Sequence, residues 1–240
     1  MNVVCVFAHQ DDEMRCLGTL LRLRDAGCRI VFVCITRGDK GLPFDPLADA
    51  VRVREREMLA VADAFAAEYV CLGREDGFAE DNASLRRDLI RTLRRMRAEL
   101  IFTHWTADYN DDHVVTAKAV TDAALFAAIA SVEPHVSPLP RAPRIFYTHP
   151  GDGYGFEATH FVRLSPVHHA TKSELIRRHH SQMDVMRRMR GHDYADELAA
   201  EDRRQGARLM VDYAEAFRAC LAERRIPWPS DLPGDLHEDH

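Results

Sequence analysis

Residues 9–13 read His-Gln-Asp-Asp-Glu and directly follow the apolar run Val3–Ala8. A strand thus ends by delivering one imidazole and three carboxylates, a concentration that is costly unless a cation or a proton transfer uses it. Far downstream, Asp108-Tyr109-Asn110-Asp111-Asp112-His113 forms a second such cluster. A catalytic zinc site takes three protein ligands from His, Asp or Glu and keeps one position open. His9 and Asp12 can turn toward one ion from a strand-to-helix turn, and His113 can complete the set from a neighbouring strand end. Such an ion lowers the pKa of the water it binds to roughly 7. Hydrolysis also needs a base that the metal does not hold. Asp11 stands beside Asp12 for that role, able to take a proton from water and pass it to a leaving amine. Glu13 is expected in the first helical turn, where the dipole favours it. Asp112 suits the role of acceptor for the free N–H of an active-site imidazole. His149 and His160 flank the glycine-rich turn Gly151–Gly155 and are candidates to face the same cleft. His104, in a strand run, reads as a core or rim residue.

Alternating strands and helices must position these groups. Apolar runs predict strands over Val3–Ala8, Arg29–Thr36, Tyr69–Leu72, Leu100–His104, Arg144–Thr148 and His160–Leu164. Between them, helical spacing predicts helices over 17–26, 49–67, 84–98 (with Ser84 as cap) and 113–130, then 165–190 and 194–222. Asp39–Pro46 and Pro134–Pro143 read as loops from their Gly and Pro content. The order implies an α/β fold: a single domain over 1–226 with a mostly parallel, Rossmann-like sheet and helices on both faces, followed by a polar tail over 227–240. In such sheets ligands bind beyond the carboxyl ends of the strands. Both acidic clusters lie there.

Composition narrows the function. The 240 residues carry 46% apolar side chains and a formal net charge of −6, which suits one large domain and disfavours nucleic acid or an anionic membrane as partner. No apolar run approaches the ~18 residues of a membrane span. The first apolar run lacks a basic flank, so no secretory leader is expected. Six cysteines without a C-x-x-C pair suggest reduced thiols in a cytoplasm.

Ala8-His9-Gln10-Asp11-Asp12-Glu13 resembles the A-H-P-D-D-E signature of the PIG-L/LmbE family of zinc-dependent N-deacetylases, and Asp108–His113 resembles that family's second motif, which ends in Asp-His. Several further segments are similar to the family pattern: Thr36-Arg37-Gly38 with Gly41, Arg54-Glu55-Arg56-Glu57, Asp76-Gly77, Lys172 with His179-His180-Ser181-Gln182, and Tyr213-Ala214-Glu215-Ala216-Phe217. The resemblance implies that His9, Asp12 and His113 hold Zn2+, that Asp11 is the general base, and that Arg54 and Asp76 contact a sugar. It implies hydrolysis of an N-acyl group, usually N-acetyl, on an amino sugar or glycoconjugate. Two positions depart from the pattern. Gln10 replaces a proline. Asn110 stands where many relatives carry a histidine that polarises the carbonyl or stabilises the oxyanion. Asn can donate a hydrogen bond but supplies neither charge nor proton. Either Asn110 serves as that neutral donor or His149 or His160 substitutes; otherwise Asp11 carries every proton transfer.

Two other functions fit parts of this pattern. Two histidines and one carboxylate also make the facial triad of a non-haem iron oxygenase, although Asp11 suits hydrolysis better. A sugar-binding module without turnover is the other, kept open by Asn110. The loops at 39–50, 131–143 and 149–158 are expected to select the substrate, a small-molecule N-acyl amino sugar or glycoconjugate. A homo-oligomer is possible.

Overall fold

The computed structural model describes residues 1–45, 49–151 and 155–221. Its chain runs through β1 (Asn2–Phe7), a 3-10 turn (Asp12–Arg15), α1 (Leu17–Asp25), β2 (Arg29–Thr36), α2 (Ala50–Ala64), β3 (Glu68–Arg74), α3 (Ala83–Met96), β4 (Leu100–Thr103) and α4 (Asp111–Ala127). It continues through β5 (Arg144–Thr148), β6 (His160–Leu164), α5 (Pro166–Ile176), α6 (His180–Arg190), α7 (Tyr194–Ala207) and β7 (Tyr213–Ala219). These strands form one sheet in the order β3-β2-β1-β4-β5-β7-β6. Pairing is parallel from β3 through β5, and β7 runs antiparallel to both β5 and β6.

The pleat splits each central strand between two cores. Val3, Cys5 and Phe7 of β1 pack with α1, α2, α5 and α7, whereas Val4 and Val6 pack with α3 and α4. This is why these strands read as continuous apolar runs rather than alternating ones. The three-layer α/β architecture and mostly parallel sheet agree with the sequence reading. No helix among the described residues is long and apolar enough to cross a membrane.

Several boundaries differ from expectation. The helix expected over 165–190 is two helices, broken between Ile176 and His180. The helix expected over 194–222 ends at Ala207, and residues 213–219 form β7 instead. Asn82, not Ser84, caps α3 by accepting the Leu85 N–H at 3.0 Å. The expected boundary at 226, the tail over 227–240 and the centre of the 151–155 turn lie outside the described residues.

Strand order also explains where a cleft must open. From β1 the chain crosses to β2 on one side, and from β4 to β5 on the other. The adjacent ends of β1 and β4 are therefore the point where the winding reverses, and the loops leaving them diverge.

Candidate metal centre and cleft

Two imidazole nitrogens and one carboxylate converge at this switch point. His9 Nδ1 lies 3.3 Å from His113 Nε2, and each lies 3.3 Å from a different oxygen of the Asp12 carboxylate. Bonds of ~2.0–2.1 Å to one tetrahedral ion would set ligand atoms about 3.3–3.4 Å apart. The two nitrogens already have that spacing, and one ligand atom from each of the three residues can be chosen with all within 4.8 Å of one another, close enough to share one ion. His9 and Asp12 reach this point from the turn after β1. There the His9 N–H donates to Asp12 Oδ2 at 2.7 Å and fixes the carboxylate. His113 comes from the first turn of α4, which Asn110 caps by accepting the Asp112 N–H at 2.9 Å.

Carboxylates hold the far side of both imidazoles. His9 Nε2 is 3.2 Å from Asp112 Oδ2 and 3.1 Å from Asp76 Oδ1, and His113 Nδ1 is 3.0 Å from Asp108 Oδ1. Such partners orient a ligating ring and set which nitrogen faces the ion. Asp112 is anchored in turn by the N–H groups of Gly77 and Ala79, at 2.7 and 3.0 Å. Two neighbouring triplets, His104/Asp108/His113 and His9/Asp76/Asp112, also bring ligand atoms together. They reuse His113 and His9 and are the flanks of one cluster.

The charges are strongly coupled to protons. Burial would lower the pKa of His113, but Asp12 and Asp108 prevail and raise it to about 9. His9 likewise resists burial and is raised well above the usual value by Asp112 and Asp12. Burial would raise Asp12, yet His113 and His104 hold it well below the ordinary carboxylate range.

Asp11 has a different environment. Its backbone sits at φ 150°, a region that non-glycine residues rarely occupy. Its Oδ1 accepts from Arg54 Nη2 at 2.5 Å, and the same guanidinium donates to the Gln10 carbonyl at 2.8 Å. Burial drives the Asp11 carboxyl upward, Arg54 pulls it back and Asp12 adds repulsion, leaving it at about 6. The loop Thr36–Gly41 wraps this guanidinium: a Cβ at Gly41 would lie 2.5 Å from Arg54 Nη1. Arg54, expected as a sugar contact, is only 3% exposed and is first a partner of Asp11.

The cleft has two lobes that meet at Asp11, Asp12 and His113. One, of about 210 Å³, is lined by Lys40, Arg54, Asp76, Asn110 and Gln182. The other, narrower at about 40 Å³, is lined by Arg15, His104, Asp108, Thr148, His149 and Tyr194. Arg54 and Asp76 thus lie in a different lobe from His149. His160 is in neither; it packs edge-on against Phe146 with ring centroids 4.9 Å apart and meets Thr159 Oγ1 at 2.8 Å.

Several roles were not readable from the chain. Glu13 lies in the first turn after β1, as expected, but its carboxylate has a further task. It is 1% exposed and lies 2.6 Å from the buried His179 Nε2, so it ties the turn after β1 to the start of α6. His104 is not a core residue: it lines the cleft and stacks on His113 at 3.8 Å between centroids. Its Nε2 accepts the Ala8 N–H at 2.9 Å. Burial and the adjacent His113 push its pKa down to about 4, which keeps it neutral. Only its position just past a strand end hinted at this. Gln10, in place of proline, is buried and bridges the Thr36 carbonyl and Tyr69 Oη, each at 3.1 Å.

Comparison with known proteins adds to this geometry. Residues 4–124 match the family model described as PIG-L: GlcNAc-PI de-N-acetylase. No curated protein matches the chain. Among solved structures, the conserved protein TT1542 from Thermus thermophilus is 26% identical, with a TM-score of 0.78 over 95% of this chain and 98% of that one. The N,N'-diacetylchitobiose deacetylase from Pyrococcus horikoshii is 21% identical, with a TM-score of 0.79 over 91% of this chain and 83% of that one. GalB, the 4-carboxy-2-hydroxymuconate hydratase from Pseudomonas putida, is 18% identical, with a TM-score of 0.79 over 92% and 97%. At such identities the last two show a shared fold alone.

Proposed function

Because the chain belongs to the PIG-L family of GlcNAc-PI de-N-acetylase, matched over residues 4–124 of 240, we propose that it is a zinc-dependent hydrolase that removes an N-acyl group, most often N-acetyl, from an amino sugar or glycoconjugate. The observation that carries this reading is the convergence of His9, Asp12 and His113, with ligand atoms within 4.8 Å of one another and Asp11 at the edge of the cluster. A fold shared with a deacetylase and a hydratase does not choose between reactions. Family membership and the placement of Asp11 support hydrolysis, and they disfavour oxygen activation as well.

Zinc held by these three residues would polarise both the amide carbonyl and the attacking water. Every other duty falls to side chains. Asp11, with its pKa near neutrality and its second oxygen not held by Arg54, accepts a proton from water as the oxygen bonds to the carbonyl carbon. The C–N bond then breaks and Asp11 returns that proton to the leaving nitrogen, so the products are a carboxylic acid and an amine, which at neutral pH settle as carboxylate and ammonium. Asn110 commits its Oδ1 to capping α4, which leaves its Nδ2 as the end able to donate to the carbonyl oxygen. His104, held neutral, does not supply a proton at neutral pH. Arg54 keeps Asp11 aimed and charged, and Asp76 presents a carboxylate to a sugar hydroxyl in the same lobe. The six cysteines are unpaired, in keeping with a reducing cytoplasm.

The test is release of free amine from N-acetylated amino sugars by zinc-loaded protein. Asp11→Asn is expected to bind zinc normally and to lose roughly two to four orders of magnitude in turnover. Undiminished turnover in that variant would remove Asp11 from the mechanism, and intact ligand after long incubation would favour a binding module.

A further inference from the structure

Arg15 is the last residue of the turn that carries Asp11 and Asp12, and its guanidinium lines the lobe away from Arg54 and Asp76. A guanidinium offers five N–H donors. Among the described residues only one hydrogen-bond acceptor engages it, the uncharged Tyr194 Oη at 3.0 Å; Asp11, Asp12 and Asp108 line the same lobe, and none of them forms an ion pair with it. The two buried arginines among the described residues contrast with this half-buried one. Arg54 is paired with Asp11, and Arg94 donates to five backbone carbonyls around the end of α4. Across from Arg15 the backbone passes at Gly151 (φ +98), where a Cβ would lie 3.1 Å from Nη2. The absence of a side chain there lets the backbone pass close to the guanidinium on that side. His149, beside it, is pushed below its usual pKa chiefly by burial and adds no competing acid.

We propose that this lobe binds an anionic group of the substrate, a carboxylate or a phosphate, through Arg15, so that the preferred substrate is an acidic N-acyl compound rather than a neutral N-acetyl sugar. The inference rests on the amide-hydrolase reading for the word substrate, not for the anion site itself. Guanidinium recognises both groups through paired N–H···O bonds. The scissile bond sits where the lobes meet, so the anion belongs either to the acyl half or to the amine half.

Calorimetry on zinc-loaded protein separates these sources. Succinate against acetate probes an anionic acyl half, and glucosamine 6-phosphate against glucosamine probes an anionic amine half. One charged probe is expected to bind wild-type protein at least about tenfold tighter than its partner. Arg15→Gln should erase that margin, and Arg15→Lys should keep part of it while both variants retain stoichiometric zinc. In turnover, the ratio of kcat/KM for N-succinylglucosamine or N-acetylglucosamine 6-phosphate over N-acetylglucosamine should fall by at least about tenfold in Arg15→Gln. Equal binding of both charged probes by wild-type and Arg15→Gln protein would overturn the proposal. Discrimination between probes with no hydrolysis of any amide would instead retire the hydrolase reading and leave the anion site standing.

Discussion

At the scale of residues, the candidate site couples metal to protons. Asp12 and Asp108 raise the pKa of His113 to about 9, so that ring carries an extra proton near neutrality in the metal-free protein, and Asp112 and Asp12 push His9 in the same direction. A metal takes neutral imidazole, so its uptake at pH 7 should expel at least about one proton per ion, from His113, and affinity should weaken as pH falls. Calorimetry in buffers of different ionisation heat reads that number, and uptake without proton release would show the rings to be neutral beforehand. The ligand set makes a second statement. His113→Ala should lose stoichiometric zinc and His104→Gln should keep it. Loss in both would transfer the ion to the His104/Asp108/His113 triplet. What the chain announces at this scale is proximity: His9, Asp12 and His113 stand out because scarce residue types recur just past two strand ends. Contacts across distant segments are not announced. Glu13 meets His179 over 166 positions, and His104 shows its stacking on His113 only once β4 is laid beside β1.

At the scale of elements, a buried ionic strut secures the turn that carries Asp11 and Asp12. Lys172 on α5 lies 2.8 Å from Asp202 of α7 and 2.7 Å from Glu215 of β7. Glu215 in turn accepts the N–H groups of Gly18 and Thr19 at the start of α1, at 2.9 and 2.7 Å. Lys172→Met would strand two buried carboxylates, a change that costs about 3–5 kcal/mol. The urea midpoint should fall accordingly, and an unchanged midpoint would show the strut to be energetically idle. The parallel strands were legible because double burial gives each an unbroken apolar run. β7 was not. Tyr213-Ala-Glu-Ala-Phe217-Arg-Ala219 is built from good helix formers with aromatics four apart. Burial on both faces between β5 and β6 overrides that propensity. The break between α5 and α6 was equally hidden, since no Gly or Pro marks it; His179 turns inward there to reach Glu13.

At the scale of the whole molecule, the cluster makes stability depend on pH in opposite ways with and without metal. His113 has a folded pKa of about 9, above the ordinary imidazole value of 6.5. Its favourable contribution is therefore complete below about 6.5 and is lost as pH rises through about 9. The Tm of chelator-treated protein should fall across that window, while the increment added by saturating zinc should grow. A zinc increment that shrinks with rising pH would contradict the sign. The placement of β7 has one more consequence. Among the described residues it is the last strand, yet it lies inside the sheet, with β6 paired to no other described strand. During vectorial synthesis on the ribosome, β6 must wait as an orphan, and the Glu215 clamp on α1 closes only after residue 215 has emerged. A nascent chain thus threads its final strand between two waiting ones, and the loop bearing Asp11 and Asp12 gains its last anchor at that late moment.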